Sequence, residues 1–118
     1  ILSRKLIIDL EVNFNQINLE LVEQIKQFEP TGLGNFPPSF LTKEAEVVEA
    51  KTVGRENNHL KLKLRKDNIV FDAIYFSSPI TNHQSLITTK VDAVYSIEEN
   101  IWNNHTSLQL KIKDLKIC

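Results

Sequence analysis

His59-Leu60-Lys61-Leu62-Lys63-Leu64-Arg65-Lys66 is the stretch that decides the fold class of this chain. Leu60, Leu62 and Leu64 alternate strictly with Lys61, Lys63 and Arg65. A period of two separates such residues onto two faces only in an extended strand; on a helix they would spread around the cylinder. One face therefore seeks a core and the other is positive. Working outward, a tight turn at Asp67-Asn68 leads into a second run, Ile69–Phe76. The link Arg55-Glu56-Asn57-Asn58 leads back to an earlier one, Glu46–Gly54, so three strands form successive hairpins.

The same device recurs further on. Val91, Ala93, Tyr95 and Ile97 alternate through Lys90–Glu99, and Leu108, Leu110 and Ile112 alternate with Gln109, Lys111 and Lys113. Between them Ser77–Thr89 carries Ile80, Leu86 and Ile87, long enough for a helical turn or more. Three strands, a helical crossover and two more strands is the order of an oligonucleotide-binding (OB) fold, a five-stranded Greek-key barrel. The expected class is mainly β, with the barrel running from about Ala45 to Lys116. In Ile69–Phe76 both faces are partly apolar, because Val70, Ile74 and Phe76 oppose Ile69, Phe71, Ala73 and Tyr75. A bulge, or cover from a preceding helix, accounts for this equally well.

Ahead of the barrel the period changes. Lys5–Val12 reads as a short strand, and Leu19, Leu21, Val22, Ile25 and Phe28 fall on one face of a helix capped by Asn18. Pro30 ends that helix, since proline has no N–H to donate and pushes Glu29 out of the α region. Gly32, Gly34 and Asn35 allow sharp turns before Pro37-Pro38 stiffens the chain. Residues 1–39 thus read as a strand-helix-connector arm leading from a preceding domain, and residues 40–118 as the OB-fold domain.

The run Leu19–Phe40, LELVEQIKQFEPTGLGNFPPSF, resembles the signature that opens the C-terminal OB-fold part of RecJ, the bacterial single-strand-specific DNA exonuclease family. That signature reads L-x-P-F-G-x-G-N-P-x-P-x-F. Phe28, Pro30, Gly32, Gly34, Asn35, Pro38 and Phe40 are in register; Thr31 stands in place of the usual Phe and Phe36 in place of the usual Pro. The likeness extends to Leu6–Val12, to His59–Leu64, to Asp72-Ala73-Ile74 with Phe76, to Trp102-Asn103 and to Ser107–Asp114. The resemblance implies a parent that is a metal-dependent 5′–3′ single-stranded-DNA exonuclease of DNA repair and recombination. Mg or Mn would sit in catalytic domains that this sequence lacks.

Composition sets further bounds. One hundred and eighteen residues, 42% hydrophobic and 25% charged, make one ordinary domain. No apolar run approaches the roughly 20 residues of a membrane span, and Ile1-Leu2-Ser3-Arg4-Lys5 lacks the long apolar core of a signal peptide. A chain that begins with Ile and has no Met reads as a piece of something longer. Its single cysteine, Cys118, can form no internal disulfide, so the expected compartment is the reducing cytoplasm. The net charge of −1 excludes a protein that coats nucleic acid by bulk charge. The charge is nevertheless uneven: four cations face eight acids up to Ala50, and ten face seven from Lys51 onward.

No catalytic constellation is legible. His59, His83 and His105 stand apart, each in a loop or at a strand edge, without acids at ligand spacing. No nucleophile motif is present, and Gly32-Leu33-Gly34-Asn35 follows a helix where a phosphate loop would open one. The chain alone is expected to hydrolyse nothing and to need no cofactor. Binding chemistry is present instead. Single-strand binding needs a positive groove and aromatic faces. Lys61, Lys63, Arg65, Lys111 and Lys113 supply the charge, and Trp102, in the loop before the last strand, supplies the ring, with Tyr75 behind it. Gln109 can hydrogen-bond a base or backbone oxygen. Trp102 packed over the barrel mouth is the competing reading of that ring, and a packed Tyr75 is the simpler reading of the other. Two functions follow: a single-stranded-DNA-binding module serving absent catalytic domains, or a docking domain whose acidic N-terminal part binds protein and makes no DNA contact.

Overall fold

The computed structural model describes residues 10–28, 39–56, 58–80 and 83–118. The connector with Pro30, Gly32, Gly34 and Asn35, and Lys5–Asp9 of the first expected strand, lie outside the described residues. The chain runs β1 (Leu10–Glu11), a 3₁₀ turn (Phe14–Gln16), α1 (Leu19–Phe28), β2 (Phe40–Val53), β3 (His59–Lys66), β4 (Ile69–Tyr75), a second 3₁₀ turn (His83–Leu86), β5 (Lys90–Trp102) and β6 (His105–Ile117). The sheet order β1-β2-β3-β4-β6-β5 closes through a β2–β5 pairing, so β2 to β6 form the five-stranded barrel that the alternation predicts. The short β1 lies parallel on β2, Leu10 beside Phe40.

Closure depends on β2, which is longer than expected. It starts at Phe40, ahead of the anticipated Glu46, because its first half pairs with β5 and its second half with β3. A strand can serve two neighbours in this way only by curling. Between Thr42 and Ala45 two residues of β2 oppose one of β5, and the ladder to β3 slips between Val47 and Glu49. Such bulges bend and twist a strand. Glu44 takes a left-handed φ of 55° at the first of them, and its N–H donates to Asp92 Oδ1 at 3.0 Å. The β3–β4 and β5–β6 turns are both two-residue hairpins with positive φ at each position, Asp67-Asn68 and Asn103-Asn104. That geometry matches strand twist, and Asp and Asn tolerate it.

The interior is filled from all five strands of the barrel: Val47, Leu60, Leu62, Leu64, Ala73, Val91, Ala93, Tyr95 and Leu110 are all buried. Truncating any one of these leucines to alanine costs about 2–5 kcal/mol. Leu86 of the second 3₁₀ turn enters the same core, while Val12, Phe14 and Ile17 enter from the arm. Phe14 meets Phe71 edge-on at 5.0 Å. Neither expected account of the doubly apolar β4 holds: its ladder to β3 is regular, without a bulge, and the 3₁₀ turn before α1 covers Phe71 on the inward face. On the second face Ile74 is buried, while Val70, and Phe76 just past the strand, stay exposed. Helix α1 begins as expected, with Asn18 Oδ1 accepting from Leu21 N–H at 2.8 Å. Val22 is buried and Leu21 partly so, whereas Leu19 faces solvent.

Candidate nucleic-acid interface

Strand alternation and register together place the candidate residues. With Leu60, Leu62 and Leu64 inside, His59, Lys61 and Lys63 face outward on β3. The ladders carry that outward face across Asp72 and Ile74 of β4 and Gln109 and Lys111 of β6, with Phe76 in the turn just past β4. One row across the sheet reads Lys51, Lys61, Ile74, Lys111. The next reads Glu49, Lys63, Asp72, Gln109, Glu98. The first row holds three lysines and no acid. In the second, Lys63 stands between two carboxylates, and opposite charges on neighbouring strands attract by about 0.2–1 kcal/mol each. The positive character of the face is therefore concentrated at Lys51, Lys61 and Lys111. Lys51 is exposed and lies directly opposite Lys61, a like-charge pair that is unfavourable without a counter-charge.

The other candidates are placed differently. Arg65 Nη2 is bound to Glu46 Oε1 at 2.5 Å, and both line an open polar cleft of about 540 Å³ with Glu44, Lys66 and Lys90. Lys113 is the extra residue where β5 and β6 slip register, Val94 opposing Asp114 and Tyr95 opposing Ile112. The bulge turns it away from the lysine row, and its Nζ donates to Ser39 Oγ at 2.6 Å. Gln109 accepts from Asn100 Nδ2 at 3.4 Å on the outward face. Tyr75 is a core residue, only 8% exposed. Burial, with the nearby Asp114 carboxylate, raises its hydroxyl pKa, so it is no stacking surface.

Trp102 closes β5, opposite His105, and is not in a loop. The ring is 76% exposed, which removes the reading that packs it over the barrel mouth. β6 pairs with β4 only from Gln109 to Lys111; beyond Gln109 the β5–β6 hairpin continues as a two-stranded ribbon to Trp102 and His105. At about 3.3 Å per residue, that tip stands roughly 13 Å past Gln109.

Sequence reasoning overlooked two residues of this face. Lys51 was hidden because the opposition of two strands cannot be read from either alone. Phe76, expected within the strand Ile69–Phe76, follows β4 in the turn and is 50% exposed, with Lys111 Nζ 5.7 Å from its ring centroid and the His59 ring edge-on at 5.2 Å. His59 Nδ1 accepts from Ser77 N–H at 2.9 Å, which fixes the imidazole. Gly54 stands close by at a φ of +94°, where an added Cβ would come within 2.8 Å of His59 Cδ2.

Among the described residues, no three His, Cys, Asp or Glu side chains are grouped so as to hold a metal ion. None of the described helices is long and apolar enough to cross a membrane.

Known proteins share this fold. The RecJ OB domain model matches residues 8–114. A single-stranded-DNA-specific exonuclease RecJ from Haemophilus influenzae is 31% identical over 106 residues, covering 88% of this chain and 18% of the relative. The RecJ of Bacillus subtilis is 24% identical over 110 residues, covering 93% of the chain and 14% of the relative. The chain thus spans under a fifth of the length of either. In fold it is similar to the crystal structure of RecJ in complex with Mn²⁺ from Thermus thermophilus. The TM-score is 0.62 at 23% identity, over 83% of this chain and 14% of that one. With the family model covering nearly all of the barrel and part of the arm, the chain belongs to the RecJ OB domain family.

Proposed function

We propose that this domain binds single-stranded DNA for a RecJ-like 5′–3′ exonuclease of repair and recombination in the cytoplasm, with Mg or Mn held by catalytic domains outside this chain. The observation that carries the reading is the row Lys51, Lys61, Lys111 on the barrel's outward face. A phosphate placed there relieves the opposition of Lys51 and Lys61, and each neutralised phosphate releases counterions. The exposed Trp102 at the ribbon tip adds a face on which any base can stack. Neither feature reads sequence, which suits a module that must accept whatever strand arrives. Family membership and the OB fold support the same assignment. In this reading residues 1–39 lead from the preceding domain of the parent.

Titration of labelled oligo(dT) from low to high salt tests it. Lys61→Ala and Lys111→Ala should each weaken binding and reduce the salt slope by about 0.7, and Lys63→Ala should do less of both. Binding by none of the proteins, parent included, would sink the reading. The alternative would then stand, a docking domain whose acidic N-terminal part binds protein and which makes no DNA contact.

A further inference from the structure

The outward face carries a second aromatic position on the far side of the lysine row from Trp102. We infer that Phe76, buttressed by His59 and topped by Lys111, is a base-stacking station for single-stranded DNA, separate from Trp102; this rests on the binding role proposed above.

Half of the Phe76 surface is open to solvent in the turn that follows β4, a strand whose inward face fills the core. An aromatic ring left exposed in this way loses the burial that usually justifies it. Its surroundings are built for a ring with an anionic tail. The His59 ring meets it edge-on at 5.2 Å, and His59 is itself held by the Ser77 N–H. Lys111 Nζ sits 5.7 Å from the ring centroid, and Lys61 lies across Ile74 from Lys111. A base on Phe76 would thus have ammonium groups beside it for its flanking phosphates.

The two stations are ordered along β6. Lys111 marks Phe76 and His105 marks Trp102, so about 20 Å of strand separates them at about 3.3 Å per residue. With bases about 3.4 Å apart when stacked, roughly six nucleotides bridge that span. An oligonucleotide of twelve residues can therefore engage both rings, and one of three residues only one at a time.

The experiment measures binding of (dT)12 and (dT)3 to the chain and to Phe76→Ala, Phe76→Trp, Phe76→Leu, Trp102→Ala and Lys111→Ala, across salt, with circular dichroism as the check on folding. Phe76→Ala should weaken (dT)12 about 5- to 150-fold at unchanged salt slope, as loss of one stack requires. On (dT)3 the same change should cost no more than about twofold, because Trp102 remains as the other station. Phe76→Trp should bind as the parent does, and Phe76→Leu should not. Parent-like binding of (dT)12 by Phe76→Ala, while Lys111→Ala is weakened, would overturn the station and leave the binding role intact. A fall in salt slope matching that of Lys111→Ala would also overturn it, making the ring a support for the lysine. Full rescue by leucine would do the same. Failure of the parent to bind either oligonucleotide would remove the binding role itself.

Discussion

Tyr95 and Thr42 share a buried hydrogen bond of 2.7 Å, and Thr42 Oγ1 donates to the Val12 carbonyl at 2.8 Å. Since the threonine proton is committed to Val12, the tyrosine hydroxyl is the donor between them. The relay joins β5, β2 and the arm in the place where β2 pairs with β5 to close the barrel. The arm is fastened there as part of the same core, because Val12 N–H also donates to Leu41 O at 2.9 Å.

The two ends of that relay differ in cost. Tyr95→Phe removes a donor and leaves Thr42 able to serve Val12, a loss of about 0.5–1.5 kcal/mol. Thr42→Val strands both the Tyr95 hydroxyl and the Val12 carbonyl, and unsatisfied buried groups cost about 1–3 kcal/mol each. Urea midpoints should rank the parent above Tyr95→Phe and Tyr95→Phe above Thr42→Val. The double variant should lose less than the sum of the two. Strict additivity would mean that the relay is not a unit.

Alkaline pH tests the same tyrosine. Burial pushes the Tyr95 hydroxyl up to about 12, against a smaller lowering by its bond to Thr42. The folded value lies above the unfolded one, so this stabilisation is complete below about pH 10 and is lost as pH rises toward 12. Stability measured from pH 8 to 12 should decline in the parent above pH 10, and less steeply in Tyr95→Phe. Tyr75, raised for the same main reason, should account for part of what decline remains.

Asp92 accepts the Glu44 N–H at the bulge where β2 curls. Its carboxyl pKa is lowered, chiefly because it accepts the Glu44 N–H, with Cys118 Sγ and nearby lysines adding to the effect. Asp92→Ala should cost about 0.5–1.5 kcal/mol at pH 7 by leaving the strained Glu44 without its acceptor. The folded pKa is below the unfolded one, so the ionic part is present above about pH 3.9 and fades as pH falls through the lower folded value. Asp92→Asn keeps an acceptor and should lack that acid-side fade. Solvent screening keeps the ionic part small.

Arg65 and Lys113 provide a contrast with the lysine row. Arg65→Ala and Lys113→Ala remove groups already held by Glu46 and Ser39, so oligo(dT) binding should fall less than for Lys61→Ala. A fall in salt slope equal to that of Lys61→Ala would show that DNA draws these groups away from their partners.

Trp102 is the single tryptophan of the chain and is largely exposed. Its indole emission should be quenched when oligo(dT) stacks on it. Trp102→Ala should leave the urea midpoint unchanged within about 0.5 kcal/mol and cost roughly 1–3 kcal/mol in binding with little change in salt slope. A large drop in stability would return the ring to a packing role.

Local pattern determined the elements of this protein. Strict alternation in β3 and β6 fixes which side chains are inside, since a strand has only two faces, and the Asn18 cap and Asp67-Asn68 turn are set by the neighbouring backbone. That much made a five-stranded barrel legible from sequence alone. Only the tertiary structure decided the rest, because it depends on which strands lie side by side. The pairing of β2 with both β3 and β5 extended that strand back to Phe40. A one-residue slip between β5 and β6 carried Lys113 out of the lysine row. Register across three ladders set Lys51 against Lys61 and brought Lys111 over Phe76, and the free end of the β5–β6 ribbon left Trp102 in solvent. A residue's face is a property of its own strand; its neighbours on that face are a property of the closed sheet.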